Sequence, residues 1–256
     1  MNQLKFNIFK ALKDSFIFYY KNFFQIILIY LIFFISNLLI SILVKVNLNI
    51  YNITFNYSFL YYLLILFIIN ILIYPFFRTA IYIYFEEKNI KDSFRKSIKY
   101  YFGMILLYLF NIFIFSIIII SLSFISLLIS ILISFYFNTS IGLSVYIIMF
   151  IILSIISLII TNKFFLSSPI FVFNKNRVYE SLRISWKNIN IKEAAKILIA
   201  QLIIYSLALI LLIYQEVSNY HLIIRILLIF ISSFLLIPIG NLFSIYVYQQ
   251  YKENYK

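Results

Sequence analysis

The side chains that could do acid–base, nucleophilic or metal chemistry are few in this 256-residue chain, and they stand apart. There is one histidine, His221, and no cysteine, so neither an HExxH pair nor a thiolate site can be assembled. Of eight carboxylates, seven lie in the basic segments and Glu216 stands alone between two apolar runs. No two of them share an apolar stretch, where a carboxylate pair could act as acid and base or relay protons. The glycines, Gly103, Gly142 and Gly240, are too scattered for a phosphate-binding loop. The expectation is a protein that is not an enzyme and holds no cofactor or metal.

One spacing among the charged residues does recur. Both aspartates occur inside the tetrapeptide KDSF, at 13–16 and 91–94, and "YESL" at 179–182 supplies a third, related copy. Counting from the acid (Asp14, Asp92 or Glu180), a lysine follows at +7 in each: Lys21, Lys99 and Lys187. Apolar residues hold −2, +2, +6 and +9: Leu12, Phe16, Tyr20 and Phe23, then Ile90, Phe94, Ile98 and Tyr101, then Val178, Leu182, Trp186 and Ile189. On a helix the apolar offsets fall at roughly 160–240°, with acid and lysine near 0°. Each copy reads as an amphipathic helix lying in a membrane–water interface. Lys10, Lys21, Arg95, Lys99, Arg183, Trp186 and Lys187 are the candidates for contact with anionic headgroups. A breaker ends each copy: Asn22 with Gln25, Gly103, and Asn190 with Glu193, the two Asn pairs reading as capping boxes.

The elements that carry these helices follow from composition. Hydrophobic residues make up 64% and charged residues 11%, far from a soluble protein. The abundance of Ile, Asn, Lys, Phe and Tyr matches an AT-rich coding bias, so aromatic content alone indicates no ligand. Between Tyr100 and Asn162 no side chain but tyrosine ionises, enough for two spans of about 20 residues. Spans are expected near 23–44, 57–77, 104–135, 141–163, 197–214 and 222–248. Phe23 to Val44 is too long for a signal-peptide core. Of the 21 Lys and Arg residues, 19 then fall on one side and only Lys45 and Arg225 on the other. Both termini are therefore expected in the cytoplasm.

The returning spans carry the three prolines, Pro75, Pro169 and Pro238, each expected to kink its helix. The fold expected is all-α and integral to the membrane: six transmembrane helices in one domain, as three repeats over 8–87, 88–176 and 177–256. Each repeat would be an interfacial helix followed by a helical hairpin with a proline in the returning helix. Ser123, Ser126, Ser130 and Ser134 form a stripe that reads as close helix packing before a pore lining. Asn37, Asn70, Asn111, Gln201 and Asn241 read as interhelical hydrogen-bonding residues. Arg78 and Arg225 are expected to snorkel. The outer segment "VNLNIYNITFNY" alternates, as a small hairpin would.

Two stretches, "FKALKDSFIFYYKNFF" near the start and "SSPIFVFNKNRVYESLRISWKN" at 167–188, carry a resemblance. The chain resembles a loose bacterial family of six-span proteins that includes the YciC-like proteins and the membrane domain attached to some glycerophosphodiester phosphodiesterases. Ser185 and Trp186 match the family's Arg-Ser-Trp stretch, with Arg183 two residues earlier. The resemblance implies a six-span fold in the bacterial cytoplasmic membrane. It does not bring the phosphodiesterase activity with it.

The function expected is a non-enzymatic scaffold or lipid-facing accessory factor. Its partners would be anionic lipid headgroups and either another membrane protein or a second copy, with no nucleic acid. The alternative is a small-solute or lipid transporter or channel, since repeats with proline-broken helices also build transporters.

Overall fold

The computed structural model describes residues 6–50, 55–136, 139–217, 227–228 and 230–254, and every regular element among them is helical. Helix α1 (Ile8–Lys21) starts at Asn7, whose side-chain oxygen accepts the N–H of Lys10 at 3.0 Å, a standard N-cap. The chain then turns through 89° at Asn22 into α2 (Phe23–Ile50). Helices α3 (Phe55–Glu87) and α4 (Ile90–Tyr136) meet at Lys88, which ends α3 in the left-handed region at φ 56°. Helix α5 (Thr139–Thr161) passes through a 3₁₀ turn at Asn162–Phe164 towards α6 (Ser167–Asn174), closed by left-handed Lys175. Then come α7 (Val178–Asn188) and α8 (Ile191–Val217). A π-helical turn at Ser232–Leu236 leads directly into α9 (Ile237–Asn254).

Two stretches, 90–135 and 139–174, are each long and apolar enough to cross a membrane; α1 with residues 23–36 makes a third if the bent pair counts as one span. In the qualifying windows only 6% of residues are buried, and side chains such as Ile120, Phe124, Leu132 and Ile151 face outward. That much contiguous apolar surface requires lipid as its solvent. The chain is a membrane protein.

Helix α9 is buried on nearly every side through Leu242, Phe243, Ser244, Ile245 and Val247, as a helix at the middle of a bundle must be. It packs on α1, α3, α6 and α8. Helices α4 and α5 run along each other through the serine stripe. Ser130 Oγ donates to the carbonyl of Gly142 at 2.7 Å, and a Cβ on Gly142 would lie 1.8 Å from Ser134 Oγ. The stripe is a packing surface, as its spacing suggested.

Three expectations change. Gly103 does not break the second copy. Helix α4 runs through it without interruption for 47 residues, roughly 70 Å against a hydrocarbon core of about 30 Å. The expected interfacial helix at 90–101 and the span at 104–135 are thus one element. The glycine serves close approach instead: a Cβ there would lie 2.1 Å from Cζ of Phe171 on α6. The flanks of the expected hairpin are helical, residues 46–50 ending α2 and 55–57 beginning α3; residues 51–54 lie outside the described ones. Finally, the prolines have three different settings. Pro75 lies inside unbroken α3, Pro169 follows a break at 162–166, and Pro238 follows the π turn. All three are buried. Part of the sixth expected span, 222–226 and 229, lies outside the described residues.

Candidate functional site

The recurring acid–serine pair gains its meaning from the serine. Ser15, Ser93 and Ser181 are each fully buried, and each donates to the carbonyl four residues back: Ala11 at 2.6 Å, Asn89 at 2.6 Å and Arg177 at 3.0 Å. A serine that satisfies its hydroxyl within its own helix presents a small, neutral surface to a neighbour. One turn on, Tyr19, Ser97 and Ser185 are buried as well. These offsets, +1 and +5, lie at roughly 100–140° on the helix. The residues at +6 lie further round and are exposed: Tyr20 at 84%, Ile98 at 67% and Trp186 at 43%. Each segment thus has three faces, one on protein, one apolar and uncovered, one charged. Sequence reasoning had merged the first two into one oily side.

All six cations singled out (Lys10, Lys21, Arg95, Lys99, Arg183 and Lys187) are exposed. None is in an ion pair; the ion pairs among described residues are Lys96–Glu87 and Lys196–Glu193. The three acids play different local parts. Asp14 sits mid-helix in α1, Asp92 in the first turn of α4, and Glu180 Oε2 accepts the N–H of Arg177 at 3.3 Å to cap α7.

These segments are pinned to the bundle. Phe6 N–H donates to Oε2 of Glu193, and Asn7 N–H donates to Oε1 of Gln250 at 2.7 Å. Tyr19 donates its hydroxyl to the carbonyl of Phe234. Under α7, Ser185 Oγ donates to the carbonyl of Lys163 and accepts the N–H of Leu166. Lys163 Nζ stands 3.8 Å from the ring centre of Trp186, which also packs on Phe164. Between α3 and α4, Lys88 Nζ stands 3.6 Å from the ring centre of Phe18, and burial holds this ammonium below the usual lysine range.

The capping reading holds for one asparagine. Asn190 accepts the N–H of Glu193 at 2.8 Å, but the Glu193 carboxylate binds Phe6 and Lys196. Asn22 caps the end of α1, donating to the carbonyl of Phe18 while its oxygen accepts the hydroxyl of Tyr84.

Two features were not legible as sites. An apolar groove of about 550 Å³ runs between the start of α1 and α8, lined by Phe9, Leu12, Ile199, Ala200 and Ile203, with Lys196 at its edge. The other is a polar layer inside the bundle. Asn241 of α9 donates to Tyr30 of α2 at 2.6 Å and accepts the Tyr74 hydroxyl of α3 at 3.0 Å. Beside it, Arg78 Nε donates to the hydroxyl of Tyr82 at 2.8 Å, which is bonded to Ser244. Arg78 therefore does not snorkel; its guanidinium stays with the tyrosines of the interior. Asn111 donates only to its own helix, at Leu107. The side chains of Asn37, Asn70, His221 and Arg225 lie outside the described ones.

Among the described residues no group of three His, Asp or Glu side chains could hold a metal ion. No family model, curated protein or solved structure matches this chain.

Proposed function

We propose that this protein is a non-enzymatic, multi-pass protein of the bacterial cytoplasmic membrane. It acts as a scaffold or lipid-facing accessory factor, with both termini in the cytoplasm. In this reading six spans form three repeats of the kind the resemblance to the YciC-like proteins implies, with α1, the start of α4 and α7 as the three interfacial segments. The observation that carries it is the pairing of faces. Six exposed, unpaired cations stand beside the uncovered apolar side chains Tyr20, Ile98 and Trp186. Such a surface suits the boundary between acyl chains and anionic headgroups, where each cation contributes about 1 kcal/mol. The groove between α1 and α8 offers an acyl chain a neighbouring apolar seat.

The test is lipid enrichment. The full chain, reconstituted in mixed anionic and zwitterionic nanodiscs, should retain an excess of anionic lipid when analysed by native mass spectrometry. A variant with Lys10, Lys21, Arg95, Lys99, Arg183 and Lys187 changed to Gln should lose that excess. Equal lipid ratios in the two proteins would sink the headgroup reading. A protein that co-purifies in fixed stoichiometry would support the scaffold role.

A further inference from the structure

The apolar groove of about 550 Å³ between the start of α1 and α8 is walled by elements that are tied to each other. Phe6 N–H donates to Glu193 of α8 at 3.2 Å, and Asn7 N–H donates to Gln250 of α9 at 2.7 Å. Phe6 and Asn7 themselves line the groove, so these bonds hold its walls in place. Its volume lies within the range of about 300–1,000 Å³ that seats a small molecule.

The groove has a charged end and an apolar end. Among the described residues that line it, Lys196 alone carries charge. Its Nζ donates to Oε1 of Glu193 at 2.8 Å, and an ammonium has two further donors. The Lys196 side chain stays 39% exposed while the Glu193 side chain is 3% exposed, so a ligand meets the cation and not the acid. Lys192, one turn earlier on α8, is exposed as well. From Lys196 the wall runs through Ile199 and buried Ala200 to Ile203. Those seven residues cover roughly 10 Å, against the about 15 Å that the chains of one leaflet occupy. The rim faces outward through Phe9, Ile199 and Ile203, at 76%, 56% and 49% exposure.

We propose that this groove holds one acyl chain of an anionic phospholipid, with the phosphate at Lys196 and the chain running towards Ile203. The inference rests on the reading of α1 as an interfacial helix at the cytoplasmic face, which puts the Lys196 end at the headgroups and the Ile203 end among the chains. That order, charge first and apolar wall after it, is the order of groups in a lipid. An anionic headgroup fits because the lining residues include a cation and no acid; the ammonium of a zwitterionic lipid would find no carboxylate there. Inside a bilayer the hydrophobic effect does not draw a chain from lipid to protein. The lipid is held instead by packing between two helices and by the charge at the groove's mouth, which sets it apart from the lipids of the surrounding shell.

The experiment uses the full chain in nanodiscs of phosphatidylglycerol and phosphatidylcholine, stripped by stepwise collisional activation in native mass spectrometry. The wild type should keep one phosphatidylglycerol per chain after the shell lipids have gone. Ile203→Trp fills the groove from a position that already half faces outward, so it should lose that last lipid with the melting temperature unchanged. Ile199→Trp, on the same wall, decides the matter if Ile203→Trp fails to fold. Lys196→Gln should cut the preference for phosphatidylglycerol over phosphatidylcholine about fivefold, the equivalent of one cation near the surface. The variant with the six exposed cations changed to Gln should keep the single lipid whether or not it loses its excess of anionic shell lipid, so the two readings fail separately. The proposal is overturned if no lipid outlasts the shell in the wild type, or if the Trp variants retain it equally. A wild-type dimer without bound lipid that Ile203→Trp splits would also overturn it, and would give the groove to a second copy of the chain.

Discussion

The backbone N–H of Phe6 donates to Oε2 of Glu193 at 3.2 Å, joining residues 187 positions apart. Glu193 is 2% exposed, and its other oxygen holds Lys196 at 2.8 Å. The start of the chain is thereby tied to the first turn of α8 by one enclosed carboxylate. Glu193→Ala leaves the Phe6 N–H and a neighbouring ammonium without their acceptor. The expected loss is about 2–3 kcal/mol, measured as a drop in the denaturation midpoint of the purified protein. A change below about 0.5 kcal/mol would mean that the contact contributes nothing.

Gly103 separates two accounts of α4. If it broke the helix, alanine would extend the helix and stabilise the protein. With Phe171 against it, Gly103→Ala should instead cost about 1–3 kcal/mol, and Phe171→Leu should recover much of that in the double variant. A thermal-melt cycle of the four proteins reads the coupling directly.

Lys88 and Lys175 both adopt left-handed φ, at 56° and 54°. Glycine accepts that region without strain, so Lys175→Gly should stabilise by up to about 1 kcal/mol. Lys88→Gly should gain less, because it gives up the ammonium's contact with the Phe18 ring, a contact of about 0.5–2 kcal/mol. Equal gains at the two positions would show that the ring contact is worth nothing.

Trp186 is the sole tryptophan, which makes it a native depth gauge. Its ring is 43% exposed from protein and lies beside Lys163 and Phe164. In liposomes its emission should be blue-shifted, little affected by iodide, and quenched best by lipids brominated at shallow acyl positions. Strong iodide quenching would show a solvated segment. Best quenching at the bilayer centre would place α7 within a span.

The side of the membrane can be read with cysteine, since the chain has none of its own. Thr139→Cys should react with an impermeant thiol reagent in intact cells. Asn89→Cys and Asn176→Cys should react only after lysis. Outside labelling at Asn176 would refute the six-span topology.

The all-helical class and the membrane as solvent were legible in the sequence because both are additive. Long runs of Ile, Leu and Phe without charge exclude water whatever they pack on. Helices α1, α7 and α8 begin within a few residues of where spacing and caps placed them, since those signals are local. Tertiary structure decided which side of each amphipathic helix meets protein. Apolar periodicity marks a half-cylinder, yet only a neighbour distinguishes the small serine strip at Ser15, Ser93 and Ser181 from the bulky residues left for lipid. It decided likewise that Gly103 is a contact and not a break, because a missing side chain reads the same in either case until Phe171 is there to fill the space. It kept Arg78 inside the bundle, where position along the helix suggested an escape to the surface. Tyr82, which receives its guanidinium, is bonded in turn to Ser244 of α9, and no distance along the chain reports that the two helices meet.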